Sequence, residues 1–274
     1  MNKQKNLPEL PPGITVVDTH CHLDMADYEV DRQAVIEEAV AAGVTRLITI
    51  GIDLQSSRRA RLLADCHPAV YATVGIHPHH VAGLPDTTYD ELKALAAHPK
   101  VVAIGEIGLD FVKCYAPPDQ QRTHFQRQLK LARELGLPVI IHDRGAHEEI
   151  MAALTAAAPF PAGGVMHCFS GDLHLAEQVL TLGFHISVPG VVTFNKAAEL
   201  QEVARQVPLA SLLLETDCPY LAPDPWRGRR NKPAYVLHTA QRIAELRGIS
   251  LQEVALRTTE NAERLFRLDS GRPS

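Results

Sequence analysis

Eight short apolar runs, each handing over to a helical pattern, constrain this chain more than any other feature. They read "GITVVDTH", "TRLITIGI", "AVYATVGIH", "VVAIGEIGLD", "LPVIIHD", "GGVMHCFS", "GFHISVPGVV" and "ASLLLETD". Near-continuous apolar strands alternating with helices belong to a parallel sheet buried on both faces. The intervening helical patterns include "DRQAVIEEAVAAG", "LQSSRRARLLADCH", "TYDELKALAAH", "DQQRTHFQRQLKLARELG", "HEEIMAALTAAA", "LHLAEQVLTLG" and "KAAELQEVARQV". Gly43, Gly136, Gly183 and Gly248 stand where helices should stop. Eight such units predict an α/β chain folded as a (β/α)8 TIM barrel. An open doubly wound sheet would carry a Gly-rich phosphate loop after its first strand, and here that place holds "THCHLD".

The length of 274 residues suits one large domain with a sizeable core. Without a composition break, residues 14–268 are read as a single TIM-barrel domain, residues 1–13 as a flexible Pro-rich arm and residues 269–274 as a frayed tail. A formal charge of -5 argues against a basic coat that wraps nucleic acid, but leaves local basic contacts open. Five scattered cysteines fit a reducing compartment better than a disulfide framework. "MNKQKNLPELPPG" lacks the apolar stretch of a signal peptide, and no run approaches the ~20 apolar residues of a membrane span. The expected setting is cytoplasmic, with no membrane and no obligate protein partner implied.

In a barrel of this kind chemistry sits where strand C-termini run into loops. The first run ends with His20 and His22, and the third leads to His77. The fourth carries Glu106 and Asp110, the fifth ends at His142, the sixth at His167 and the eighth at Asp217. Five of the fourteen histidines therefore fall at strand ends. Taken singly, each could be a satisfied rim histidine. Taken together, so many costly polar groups on one face, carboxylates among imidazoles, call for a compensating cation. Alternation along a strand gives His20 and His22 one face and turns Cys21 to the other, and the same argument turns Cys168 and Cys218 away. Cys114, in the loop after the fourth strand, reads as a thiol without a role.

These motifs, with "RGRRNKPAYV" and "TTENAERLF", give nearly the whole chain a resemblance to the TatD family of metal-dependent hydrolases, which act as deoxyribonucleases. The resemblance implies a TIM barrel of metal-dependent hydrolase type. It also implies that His20, His22, Glu106, His142, His167 and Asp217 hold one or two divalent ions (Zn, Mn, Mg, Co or Ni), with Glu106 shared between them. On that pattern His20, His22 and Glu106 take one ion, and Glu106, His142 and His167 the other. Two departures stand out. The family usually has a tyrosine pair, "GLDYY", where this chain has "GLDFVK", and a glutamate is common at Lys232. Both are expected at the rim, where they bear on substrate preference.

The catalytic candidates are Asp217 as the group that orients water and accepts its proton, Glu106, and His77 near the phosphate or leaving group. Cations for the phosphate are sought in Arg144 and in "WRGRRNK", where Arg229 and Arg230 lead, with Trp226 as a stacking face. The expected activity is a 3'-5' exonuclease-like cleavage of DNA phosphodiester bonds in single strands or ends. The alternatives are a metallohydrolase of a small amide, lactone or phosphoester, and a non-catalytic metal-binding protein on the same scaffold.

Overall fold

The apolar runs form one parallel sheet in the order β1-β2-β3-β4-β5-β6-β7-β8 in a computed structural model that describes residues 6–268. The strands are β1 (Val16–Cys21), β2 (Val44–Thr49), β3 (Val70–Val74), β4 (Val101–Asp110), β5 (Val139–Arg144), β6 (Gly164–Met166), β7 (His185–Val188) and β8 (Leu212–Leu214). The helices are α1 (Arg32–Ala41), α2 (Leu54–Cys66), α3 (Thr88–Ala96), α4 (Pro118–Leu135), α5 (His147–Ala157), α6 (Leu173–Thr181), α7 (Ala198–Gln206), α8 (Val236–Arg247) and α9 (Leu251–Phe266). Every expected strand is present. Gly136 and Gly248 end α4 and α8 in left-handed conformation, while Gly43 and Gly183 follow one residue behind the caps of α1 and α6.

The sheet closes on itself just beyond the short β8. His22 N donates to Cys218 O at 2.8 Å and Asp217 N to His20 O at 2.9 Å, around a parallel bridge between Cys21 and Cys218. Thr19 Oγ1 donates to Leu214 O at 2.9 Å, and Thr216 donates to the buried Asp18 carboxylate through both N and Oγ1. The residues that stitch the seam are thus the neighbours of the strand-end histidines and Asp217. Barrel closure and site geometry share one set of bonds.

Packing divides into an outer layer, between strands and surrounding helices, and an inner one. The inner cluster joins Val17, Ile48, Ile50, Ile140, Val165 and Leu213 to Ala262, Leu265 and Phe266 of α9. Asn261 of α9 donates to Leu209 O and Leu212 O, and Thr259 to Thr15 O. Those carbonyls lie at the starts of β8 and β1, so α9 plugs the barrel at the end opposite the histidines.

Two details differ from expectation. The run "GFHISVPGVV" leaves the sheet at Pro189 and turns into a 3-10 helix, Gly190–Thr193. A Cβ at Gly190 would meet Leu221 O at 2.8 Å, so glycine lets this turn press against the loop after β8. Of the expected arm, residues 6–13 lie within the described structure, and Leu7 and Leu10 pack on the core. Residues 1–5 and the expected tail, 269–274, lie outside the described residues. Among the described residues no helix is long and apolar enough to cross a membrane.

Candidate metal centre

The strand-end residues meet in one cleft of about 760 Å³ at the C-terminal mouth of the barrel. β1 brings His20 and His22 to the same face, with ring centroids 5.1 Å apart. Cys21 points outward into the apolar layer, its thiol donating to Ile48 O at 3.3 Å. β4 carries Glu106 to the centre. Its close approach to β5 depends on Gly108, at φ 149, where a Cβ would sit 1.9 Å from His142 O. That approach puts His142 Nδ1 2.6 Å from Glu106 Oε1.

Glu106 faces two groups of imidazoles with its two oxygens. Oε2 lies 3.6 Å from His20 Nε2. Oε1 lies 2.8 Å from His167 Nε2 and 3.4 Å from His77 Nε2, besides its contact to His142. Asp217 completes the Oε2 side, with Oδ1 3.3 Å from His22 Nε2 and 3.8 Å from His20 Nε2. All seven strand-end candidates, His20, His22, His77, Glu106, His142, His167 and Asp217, are therefore neighbours.

Burial would raise the Glu106 carboxyl, but the facing His167 and His77 and hydrogen bonds from His142 and His167 hold it well below the usual range. Asp217 follows the same balance, burial being outweighed by the His22 hydrogen bond and the charges of His20 and His22. Burial depresses His20, as does His167 beside it. It would depress His167 and His142 too, but Glu106 with Glu215 raises the first, and Asp110 with Glu106 the second. Burial takes His77 down to about 4, against the pull of Glu106. Its Nδ1 accepts the His79 N–H at 3.1 Å, so the neutral ring carries its proton on Nε2, towards the cleft.

The donor set suits a divalent cation. Both ring nitrogens of His20, and Nδ1 of His22 and of His167, are buried without a hydrogen-bond partner. Such atoms are expensive to leave unpaired, and a cation is what imidazole lone pairs beside two ionised carboxylates accommodate. Sets of three ligand atoms within 4.8 Å of one another occur as His20–His22–Asp217, His77–Glu106–His142 and His20–His167–Glu215.

A second layer of residues went unseen in the sequence. Asp110, noted there only as a strand-end carboxylate, is buried and holds His142 from behind, Oδ2 lying 3.4 Å from His142 Nε2 and 2.7 Å from His79 Nε2. Glu215 takes the Cys168 N–H on Oε1 at 2.7 Å, and that oxygen is 3.5 Å from His167 Nδ1. Glu215 precedes Asp217 in "ETD" and looked like strand. Cys168 lines the cleft, against the expectation that it faces away, because its φ of 45 breaks strand alternation; Cys218 does turn into the core.

The cations sort differently from expectation. Arg144 lines the cleft, together with Lys113, which was not singled out. Arg229 and Arg230 are not among the lining residues. Arg230 is held by Asp31 at 2.5 and 2.9 Å and lies over the Tyr28 ring. Arg227 covers Phe194, and Trp226 stacks on Tyr235. Lys232 pairs with Glu38 at 2.8 Å, away from the rim where it was expected. Arg230 and Lys232 of the "WRGRRNK" loop are thus tied to α1 and the residue before it, while Arg229 is exposed outside the cleft lining.

The family described as TatD related DNase matches residues 17–267. The chain belongs to this family. It is 42% identical over 252 residues to the uncharacterized metal-dependent hydrolase YabD of Bacillus subtilis, covering 92% of this chain and 99% of that one. It is 39% identical over 257 residues to the 3'-5' ssDNA/RNA exonuclease TatD of Erwinia billingiae, covering 92% and 98%. Among solved structures, the TatD homolog YJJV from Escherichia coli k12 superposes with a TM-score of 0.88 at 34% identity, over 93% of this chain and 98% of that one. This TatD chain is thus a metal-dependent hydrolase built on the family's (β/α)8 barrel.

Proposed function

We propose that this TatD chain is a divalent-metal-dependent deoxyribonuclease that trims single strands or frayed ends from the 3' side. The observation that carries the reading is the split use of Glu106, one oxygen towards His20 and the other towards His142 and His167. One ion would be held by His20, His22, Asp217 and Glu106, and a second by Glu106, His142 and His167. Zn, Mn, Co or Ni suit these mixed nitrogen and oxygen donors, while Mg favours more oxygen. Bound there, such ions acidify water and neutralise charge on a transferring phosphoryl group.

The chain's own groups do the rest. Asp217, ionised and accessible from the cleft, accepts a hydrogen bond from water and takes up its proton. His77 presents an Nε2–H to the cleft and donates to a phosphoryl or leaving-group oxygen. Arg144 supplies a charged fork to a phosphate. A cleft set into the barrel mouth suits a chain end better than the middle of a duplex. The relatives named as 3'-5' ssDNA/RNA exonucleases support the polarity and the substrate. Five free cysteines support action in the reducing cytoplasm.

The test incubates metal-loaded protein with end-labelled single-stranded DNA beside Glu106→Ala and Asp217→Asn. Release of mononucleotides by the parent, reduced at least about 100-fold in both variants, supports the proposal. Intact DNA with Mg, Mn, Co and Zn alike contradicts it and leaves a small ester or amide as substrate.

A further inference from the structure

The mouth of the cleft is chemically two-sided. In the eight-strand order, β4 and β5 lie across the barrel from β8 and β1. The loop after β4 brings Lys113 and Tyr115 to the cleft, and β5 ends in Arg144. Among the described residues neither Lys113 nor Arg144 makes an ion pair, whereas Arg122, Arg230 and Lys232 all do. Two exposed cations left unpaired on one wall of an otherwise acidic protein suit a polyanion. The opposite wall carries Tyr220 and Leu221 from the loop after β8 and Met25 from the loop after β1, with no cation among them.

The rings at this mouth are exposed in a way that packing does not explain. Tyr115 is 68% and Tyr220 53% exposed, and they are the aromatic members of the exposed large apolar side chains among the described residues. Each is steadied by a histidine of the site. Tyr115 meets His79 at 4.7 Å and 62°, and Tyr220 meets His22 at 6.2 Å and 68°, T-shaped contacts that leave ring surface uncovered. The Tyr220 hydroxyl donates to Met25 Sδ at 3.5 Å, which ties the ring to its own wall.

Resting on the single-strand reading above, we infer that the mouth grips a polynucleotide end between a phosphate wall and a base wall. The terminal base stacks on Tyr220 against Leu221 and Met25. The phosphate behind it lies on Lys113 and Arg144 of the opposite wall, where Tyr115, two residues from Lys113, takes the next base. Every base offers a π-face, so this grip requires bases without reading their identity. A paired terminus, with its bases already stacked in a duplex, does not fit it. None of these contacts recognises a 2'-hydroxyl, so deoxyribose and ribose strands bind alike.

The experiment measures binding to the metal-loaded protein by fluorescence anisotropy, on strands with phosphorothioate linkages that slow turnover. The probes are labelled oligothymidylate, the same strand with abasic 3'-terminal nucleotides, and oligouridylate of equal length. The parent is expected to prefer the base-bearing strands by roughly 5- to 100-fold, with DNA and RNA equal. Tyr220→Ala should abolish most of that preference and Tyr220→Phe should keep it. Lys113→Ala and Arg144→Ala should each flatten the dependence of log Kd on log salt by about 0.7 and leave the base preference in place. Melting temperatures confirm that each variant is folded. Equal binding of abasic and base-bearing strands, no binding at all, or an unchanged preference in Tyr220→Ala overturns the inference. Parallel cleavage assays of the parent separate the two readings. Cleavage with this binding pattern missing removes the two-walled mouth alone, and the pattern without cleavage removes the nuclease reading alone.

Discussion

Glu215 and Asp110 show why a ring of ligands is not the whole site. Each carboxylate stands behind an imidazole of the cleft, Glu215 behind His167 and Asp110 behind His142. Such partners fix the tautomer and orientation of a metal-binding histidine, and their loss typically costs 10- to 100-fold in metal affinity. Glu215→Gln and Asp110→Asn should each weaken divalent-ion binding by at least about 10-fold in calorimetry while the unloaded protein stays folded. Unchanged affinity would make them ordinary buried carboxylates. At this scale the sequence was legible where a ligand-type residue ended an apolar run, as with His20, His142 and His167. It was opaque where partnership depends on neighbouring strands. Glu215 looked like strand, and Arg230 like a phosphate donor, because the Asp31 that engages it is 199 residues away.

Elements set how closely those residues approach. β4 and β5 run so near each other at Gly108 that any side chain there would collide with the His142 carbonyl. Gly108→Ala should part the two strands and move His142 from Glu106. The expected result is a large loss of metal binding together with a lowered melting temperature. The α9 plug acts differently, because Phe266 is buried at the far end of the barrel. Phe266→Ala should cost about 3–5 kcal/mol in urea unfolding yet leave metal affinity per folded molecule unchanged. The alternation of strand and helix, and with it the barrel, could be read from residue pattern because burial on both faces leaves near-continuous apolar runs. The role of α9 could not, since an amphipathic face does not say whether it covers a sheet or stoppers a barrel.

For the whole molecule, acid stability follows from histidines remote from the cleft. Burial, with Arg264 nearby, takes His185 down to about 4, and burial alone takes His238 to about 4. Unfolded, each titrates near 6.5. As pH falls through that value the unfolded chain takes up protons that the folded protein refuses, so stability is full above about 6.5 and drains away towards 4. Partial burial limits the effect to about 1–3 kcal/mol for each. Urea midpoints should fall between pH 7 and pH 5, and less steeply in His185→Gln and His238→Gln; parallel curves would refute the assignment.

The same barrel gathers seven strand-end groups around one cleft, and the proposed activity of that cleft is to trim single strands from the 3' side with bound divalent ions. The direct measurement follows a 5'-labelled single strand and a circular single strand through a time course, with metal and with EDTA. The expected result is a ladder shortening stepwise from the 3' end only when metal is present, and an intact circle. Nicking of the circle, or degradation that persists in EDTA, would rule out a metal-dependent 3' exonuclease.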